Sequence, residues 1–315
     1  MVRGLDANLD ALVDALRAAH GRTEGPDADA DLSRQLAEQR LVKDDFEIAE
    51  LQRACDATAC AFDGVVAAIS DAVAHGRGER WIEGAFNLHA RHLGNGIGFE
   101  TIAAAGDHAC TLHWTRNDGD VAEGDLLLVD AGVEVDTLYT GDVTRTLPVS
   151  GRFTEPQRRV YQAVLDAHSA AIAAAKPGAP HSAIHDAAVR VVAERLHAWG
   201  LLPVTVDEAL DPYTGGQHRR WMVHGTSHHL GLDVHDCAQA RPERERGDTL
   251  RPGMVVTVEP GLYFKATDLL VPEELRGIGV RIEDDIVITD DGCRVLSEAI
   301  PRTADAVEAW VRRLR

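Results

Sequence analysis

What this chain lacks narrows its identity first. Basic residues are scarce beside acids, with 32 Lys+Arg against 51 Asp+Glu in 315 residues and a formal charge of −19. Phosphate backbones and anionic membranes are repelled by such a surface rather than gathered to it, so neither nucleic acid nor a membrane is an expected partner. No stretch approaches the ~18 consecutive apolar residues of a membrane span. The opening MVRGLDANLDALVDALRAAHGRTEG has acids within its apolar run, unlike a signal peptide, and a cytoplasmic location is the expectation. Cysteine is sparse: Cys55, Cys60, Cys110, Cys237 and Cys293 are odd in number and show no CxxC spacing, so neither a disulfide framework nor a thiolate zinc site is suggested. GTSHH lacks the closing glycine of a GxSxG elbow, GNGIG (94–98) fails GxGxxG at its last position, and HExxH is absent. Nucleophile-elbow, dinucleotide and zincin chemistries fall away together.

What is present is ample for a core, with 45% hydrophobic residues. Leu5, Leu9, Leu12, Val13 and Leu16 recur at helical spacing, and GRTEGPDADAD after them reads as an exposed linker. Residues 1–40 are therefore expected to be an appendage of helix and linker, and 41–315 the main domain. The spacing predicts one long helix from Lys43 to His75, a second from Glu79 to His92, and others over 155–175, 181–199 and 303–314. Between them lie β-rich runs: TIAAA (101–105), DLLLVDAG (125–132), MVVTVEPG (254–261) and VRIEDDIVIT (280–289). Strands clustered away from helices point to an α+β class.

Setting Gly124 on Gly253 aligns GDLLLVDAG with GMVVTVEPG, so that Asp130 falls on Glu259. Each copy has a second acid downstream, Asp142 in TGDVTRT and Glu283 in GVRIEDD. The chain reads as two related halves contributing two carboxylates each. An ionised acid buried at the end of an apolar strand costs about several kcal/mol without a partner, and four together repel one another. Two divalent cations remove that repulsion. A donor set rich in oxygen with one imidazole suits Mn²⁺, Co²⁺ or Fe²⁺, with Zn²⁺ also compatible.

HGTSHHLGLDVHD (224–236) is the densest histidine cluster. If extended, it puts His224 and His228 on one face and His229 and His235 on the other, so one ligand with helpers is the economical reading. His113, in TLHWTRND, is a further candidate beside the first acidic strand.

Taken in order, LHWTRND, VDAG, GDVTRT, HGTSHHLGLDVHD, VEPGLY and GIGVRIEDD resemble the motifs of the aminopeptidase P and prolidase family of pita-bread metallopeptidases, over roughly residues 45–315. The resemblance implies a pseudo-twofold α+β fold holding two metal ions, usually Mn²⁺, with a bridging hydroxide, and hydrolysis of the bond preceding a proline at the second position of a peptide. It makes Asp130, Asp142, His228, Glu259 and Glu283 the metal ligands. It gives catalytic roles to His113, His224, His235 and Glu259, and places Tyr263 beside the pocket and Arg281 at its rim, on one strand with Glu283. It implies a further N-terminal domain of which residues 1–40 are a remnant, and is compatible with a homodimer. The spacing of 12 from Asp130 to Asp142 is one longer than the family's, which a bulge between Val133 and Gly141 would absorb. Xaa-Pro aminopeptidase is the leading expectation and prolidase the alternative. A pita-bread module that only binds peptides is disfavoured because all five ligand positions are filled.

Overall fold

A computed structural model describes residues 6–22, 26–242 and 249–315. Its helices are α1 (Ala7–Ala19), α2 (Pro26–Arg40), α3 (Asp45–Ala67), α4 (Ile69–His75), α5 (Gly78–Leu93), α6 (Glu155–Ala174), α7 (Ser182–Ala198), α8 (Val206–Leu210) and α9 (Ala304–Leu314). Its strands are β1 (Gly96–Ile97), β2 (Ile102–Ala105), β3 (Leu126–Ala131), β4 (Val133–Glu134), β5 (Val143–Pro148), β6 (Val255–Val258), β7 (Gly261–Phe264), β8 (Ile278–Arg281), β9 (Asp284–Ile288) and β10 (Cys293–Val295). The α+β expectation holds.

Local chemistry fixes the helix ends. Asp44 and Glu47 close a capping box on α3, and Thr154 and Gln157 close one on α6, each satisfying backbone donors that a helix start leaves open. Gly200, at φ +72°, follows the end of α7 and takes a conformation that a side chain would resist.

Among the helices and linkers, two expectations change. The single long helix is two, α3 and α4, meeting at 44°; the Ala68 N–H is shared between the Gly64 and Val65 carbonyls, a local tightening of the turn. The linker read into GPDADAD is mostly helix, since α2 starts at Pro26. Proline presets the φ of a first helical turn, and Arg17 of α1 holds Asp29, while Ala37 of α2 joins the main core. Leu5 and Gly25 lie outside the described residues.

The duplication appears as one antiparallel three-strand unit built twice. In the first, β3 lies between β2 and β5, with Ile102 opposite Asp130 and Asp130 opposite Thr144. In the second, β6 lies between residues 226–230 and β9. Leu230 N donates to Val255 O, Thr257 N to His228 O and Glu259 N to Thr226 O, while Val258 faces Asp284 on the other side. Gly124 and Gly253 occupy the same place in the two turns, at φ +96° and +87°. One core cluster spans both halves, taking in Phe62, Phe86, Val129, Val160, Val256 and Ile286. Each such burial is worth about 1.5–3 kcal/mol, so the halves are held as one body.

VRIEDDIVIT is not one strand. β8 pairs with β7, β9 pairs with β6, and the chain changes sheets at Ile282 and Glu283. The amides at the crossing go elsewhere, Ile282 N to Pro260 O and Glu283 N to Thr144 O. The second of these bonds ties the two halves together.

Candidate metal centre

Alternation along paired strands gathers the acids. Asp130 faces Thr144, so Asp142, two residues before Thr144, shares its face of the sheet. The hairpin between them closes through a three-residue loop: Leu138 N donates to Val135 O, and Leu138 takes φ +73° before Tyr139 O accepts from Val135 N. A turn followed by one left-handed residue is the bulged arrangement that inserts a single extra residue, as the long spacing requires. In the second unit His228 lies opposite Thr257, on the face that also carries Glu259. Continuing the β6–β9 register by one pair brings Glu283 opposite Glu259.

The four acids and the imidazole therefore meet at the floor of one cleft of about 830 Å³, which His113, His224 and His235 also line. Ligand atoms of Asp142, His228 and Glu283 lie within 4.8 Å of one another. His228 Nε2 is 3.4 Å from Asp142 Oδ2 and 3.6 Å from Glu259 Oε1. Burial first, and then the neighbouring acids, push the Asp142 and Glu283 carboxyls well above the usual carboxylate range. Burial outweighs the attraction of His228 and Arg281 and takes Glu259 up to about 7.

The donor set fits divalent cations. Arg281 is the guanidinium turned toward the cluster, and it occupies Asp130 Oδ2 at 2.7 Å. Asp130 Oδ1 is buried and accepts no hydrogen bond. A buried carboxylate oxygen left without a donor is costly, and a cation in the cleft would satisfy it.

Arg281 is not at the rim. It is 1% exposed, because its charge is spent inward: Nη2 on Asp130, Nη1 on Tyr263 Oη (3.1 Å) and Nε on Thr144 Oγ1 (3.0 Å). Thr144 in turn donates to Glu283 Oε2 at 2.7 Å. Arg281 and Glu283 thus converge through Thr144 although Arg281 ends β8 and Glu283 lies at the crossing before β9. Tyr263 is buried behind the cleft wall and reaches it through His224, whose Nε2 lies 2.6 Å from the phenol oxygen.

The face assignment of the histidine segment holds only as far as Leu230. Beyond it Asp236 N donates back to His229 O, and the turn swings His235 against His228, with ring centroids 4.5 Å apart. His229 is buried against His181 instead.

Sequence reasoning passed over four contributors. Asp285 Oδ2 accepts from the Asp142 amide at 3.0 Å, and Thr144 links Arg281 to Glu283; each stands two residues after an acid in its motif, the spacing that keeps a strand residue on the same face. His181 and His185, four apart at the start of α7, both line the cleft. Their helical spacing was the available signal.

The model of metallopeptidase family M24 matches residues 49–290. Xaa-Pro aminopeptidase 1 of Streptomyces coelicolor is 55% identical over all of this chain, which spans 62% of that relative's length. The Xaa-Pro aminopeptidase of Escherichia coli is 40% identical over 86% of this chain and 59% of its own. Among solved structures, the aminopeptidase PepP of Pseudomonas aeruginosa superposes with a TM-score of 0.85 at 34% identity, covering 99% of this chain and 70% of that one. E. coli aminopeptidase P with the inhibitor Pro-Leu gives 0.85 at 35% identity, covering 100% and 70%. With the family match covering most of the chain and the paired strand units meeting at a carboxylate-rich floor, the chain belongs to metallopeptidase family M24.

Proposed function

We propose that this chain carries out metal-dependent hydrolysis of the N-terminal Xaa-Pro bond of peptides, as an Xaa-Pro aminopeptidase. Asp130, Asp142, His228, Glu259 and Glu283 would hold two divalent ions, with Mn²⁺ preferred. The observation that carries this reading is the convergence of Asp142, His228 and Glu283 donor atoms within 4.8 Å at the base of an open cleft. Relatives named Xaa-Pro aminopeptidase, and a structural neighbour bound to Pro-Leu, favour the proline specificity.

Ions in such a donor set supply Lewis acidity toward a carbonyl and make water a nucleophile near neutral pH. Glu259, on the cleft floor, would take the proton that the attacking water gives up and return it to the departing proline nitrogen. His113 and His235 face the cleft and can donate to the carbonyl oxygen as charge builds on it. His224 plays a different part. Its Nδ1 is 2.6 Å from Gly225 O and its Nε2 is engaged by Tyr263, so it offers a ring face, a surface suited to an apolar pyrrolidine. A bond to proline has no N–H, and recognition by shape needs none.

The five free thiols favour a reducing compartment, and the cytoplasm is the proposed location. The test is a panel of Xaa-Pro-Yaa tripeptides and Xaa-Pro dipeptides assayed with added Mn²⁺, alongside metal analysis of protein purified without chelator. Tripeptide cleavage abolished by Asp142→Asn is the expected result. Cleavage confined to dipeptides would make the chain a prolidase, and absence of both metal and activity would make it a binding module.

A further inference from the structure

Glu79, the second residue of α5, has no exposed surface and takes no part in the metal cluster. Both of its oxygens are occupied by donors from a single segment. Oε1 accepts from Ala105 N at 2.9 Å and lies 2.7 Å from His108 Nδ1. Oε2 accepts from Trp114 Nε1 at 2.8 Å and from Gly119 N at 2.7 Å. The rings of His108 and Trp114 stack on each other with centroids 3.9 Å apart. A buried carboxylate is costly unless its lone pairs are filled, and a helix start favours negative charge. Both conditions are met, yet all four donors come from residues 105–119, the stretch that projects His113 into the cleft.

A second anchor closes the same stretch. Asn117, fully buried at φ +45°, accepts from Ala103 N at 2.9 Å and donates to Thr101 O at 2.8 Å. Trp114 is the residue after His113, and Cys110 on the other side is buried. The imidazole therefore stands on a short arch between fixed points, one of which is the indole held by Glu79.

We infer that Glu79 is a positioning residue for the peptidase reaction: it fixes the Trp114 indole and thereby sets where the His113 imidazole meets the peptide. The inference rests on the reading that His113 touches substrate. A displacement of about 1 Å in a reacting group can cost about 100-fold in rate.

The test is a double-mutant cycle on the Mn²⁺-loaded protein, combining Glu79→Gln with His113→Ala. Glu79→Gln is expected to lower kcat by about 10- to 100-fold with KM within about twofold. Mn²⁺ affinity by titration calorimetry stays within about twofold, since no contact to the cluster is lost. In the His113→Ala background, Glu79→Gln has little further effect. Trp114→Phe, which removes only the indole donor from this bond, is expected to follow the same pattern, and it serves if Glu79→Gln does not fold. Additive losses in the two backgrounds, or a drop in Mn²⁺ affinity, would show Glu79 to be a general structural residue and overturn the inference. If His113→Ala alone leaves kcat/KM unchanged, it is the substrate role of His113 that fails, and the inference falls with it.

Discussion

Arg281 donates from Nη2 to Asp130 Oδ2 across 2.7 Å, joining the last residue of β8 to the acid near the end of β3. The bond crosses between the duplicated halves and carries the positive charge that the acid cluster meets from the protein side. Arg281→Met should therefore destabilise the chain by about 3–5 kcal/mol, because it leaves a buried acid unpaired. Calorimetry in chelator would show the lowered Tm, and saturating Mn²⁺ should restore part of it by ligand linkage. A Tm equal to that of the parent in chelator would refute this role.

Lys43 and Asp236 form a second buried pair, Nζ to Oδ2 at 3.0 Å, with both side chains 1% exposed. Burial alone would raise the Asp236 carboxyl, but Lys43 and then Arg40 outweigh it and hold it below its usual value. Lys43→Met alone should cost about 3–5 kcal/mol, and adding Asp236→Asn should recover most of the loss. Urea unfolding of the four proteins of the cycle measures this, and simple additivity would contradict it.

Asp268 gives a pH dependence that can be assigned a sign. The Arg220 guanidinium lowers its carboxyl from 3.8 to about 2, helped by Leu270 N and the Trp221 indole. A depressed acid stabilises the fold above its unfolded pKa and loses that contribution as pH falls through the folded one. The contribution is thus full above about pH 4 and gone near pH 2. Arg220 is half exposed, which limits the effect to less than about 1 kcal/mol. Tm profiles of the parent and Asp268→Asn should differ at neutral pH and converge in acid; a gap that widened on acidification would reverse the assignment.

His224 should remain neutral through the working pH range. Burial first, then Arg281, lowers its pKa to about 3, and the Gly225 carbonyl, which can only accept, puts its proton on Nδ1. Imidazole ¹⁵N NMR should report that tautomer without titration over about pH 5–8. A transition within that window would show that the ring is not shielded in this way.

The meeting of Asp130 and Glu259 was legible because an acid at the end of an apolar strand has few simple explanations, and the repeated Gly-to-Gly segment showed that there were two such strands. Helix limits were legible wherever a cap or glycine marked them, as at Asp44, Thr154 and Gly200. The sheet change at Ile282 was hidden, since a run of strand-forming residues does not say which partner each half will bond; that depended on Pro260 and Thr144, far away in sequence. The face given to His235 failed for a related reason, because the turn after Leu230 is fixed by a bond back to His229. Glu79 gave no local signal, since an acid at the start of a helix is commonplace. Its donors lie across a loop whose course only the fold defines.

The Glu283 N–H to Thr144 O bond, which joins the halves, can form only after both have been made. Asp130 and Asp142 are made before His228, Glu259 and Glu283, and at about 5–20 residues per second the first acidic pair waits roughly seven to thirty seconds for the last. For that interval the nascent chain holds two acids without their counterparts and an apolar strand without its second sheet. Ions held by the proposed ligand set would therefore be acquired only at the final stage of folding, and their uptake would report that both halves have docked.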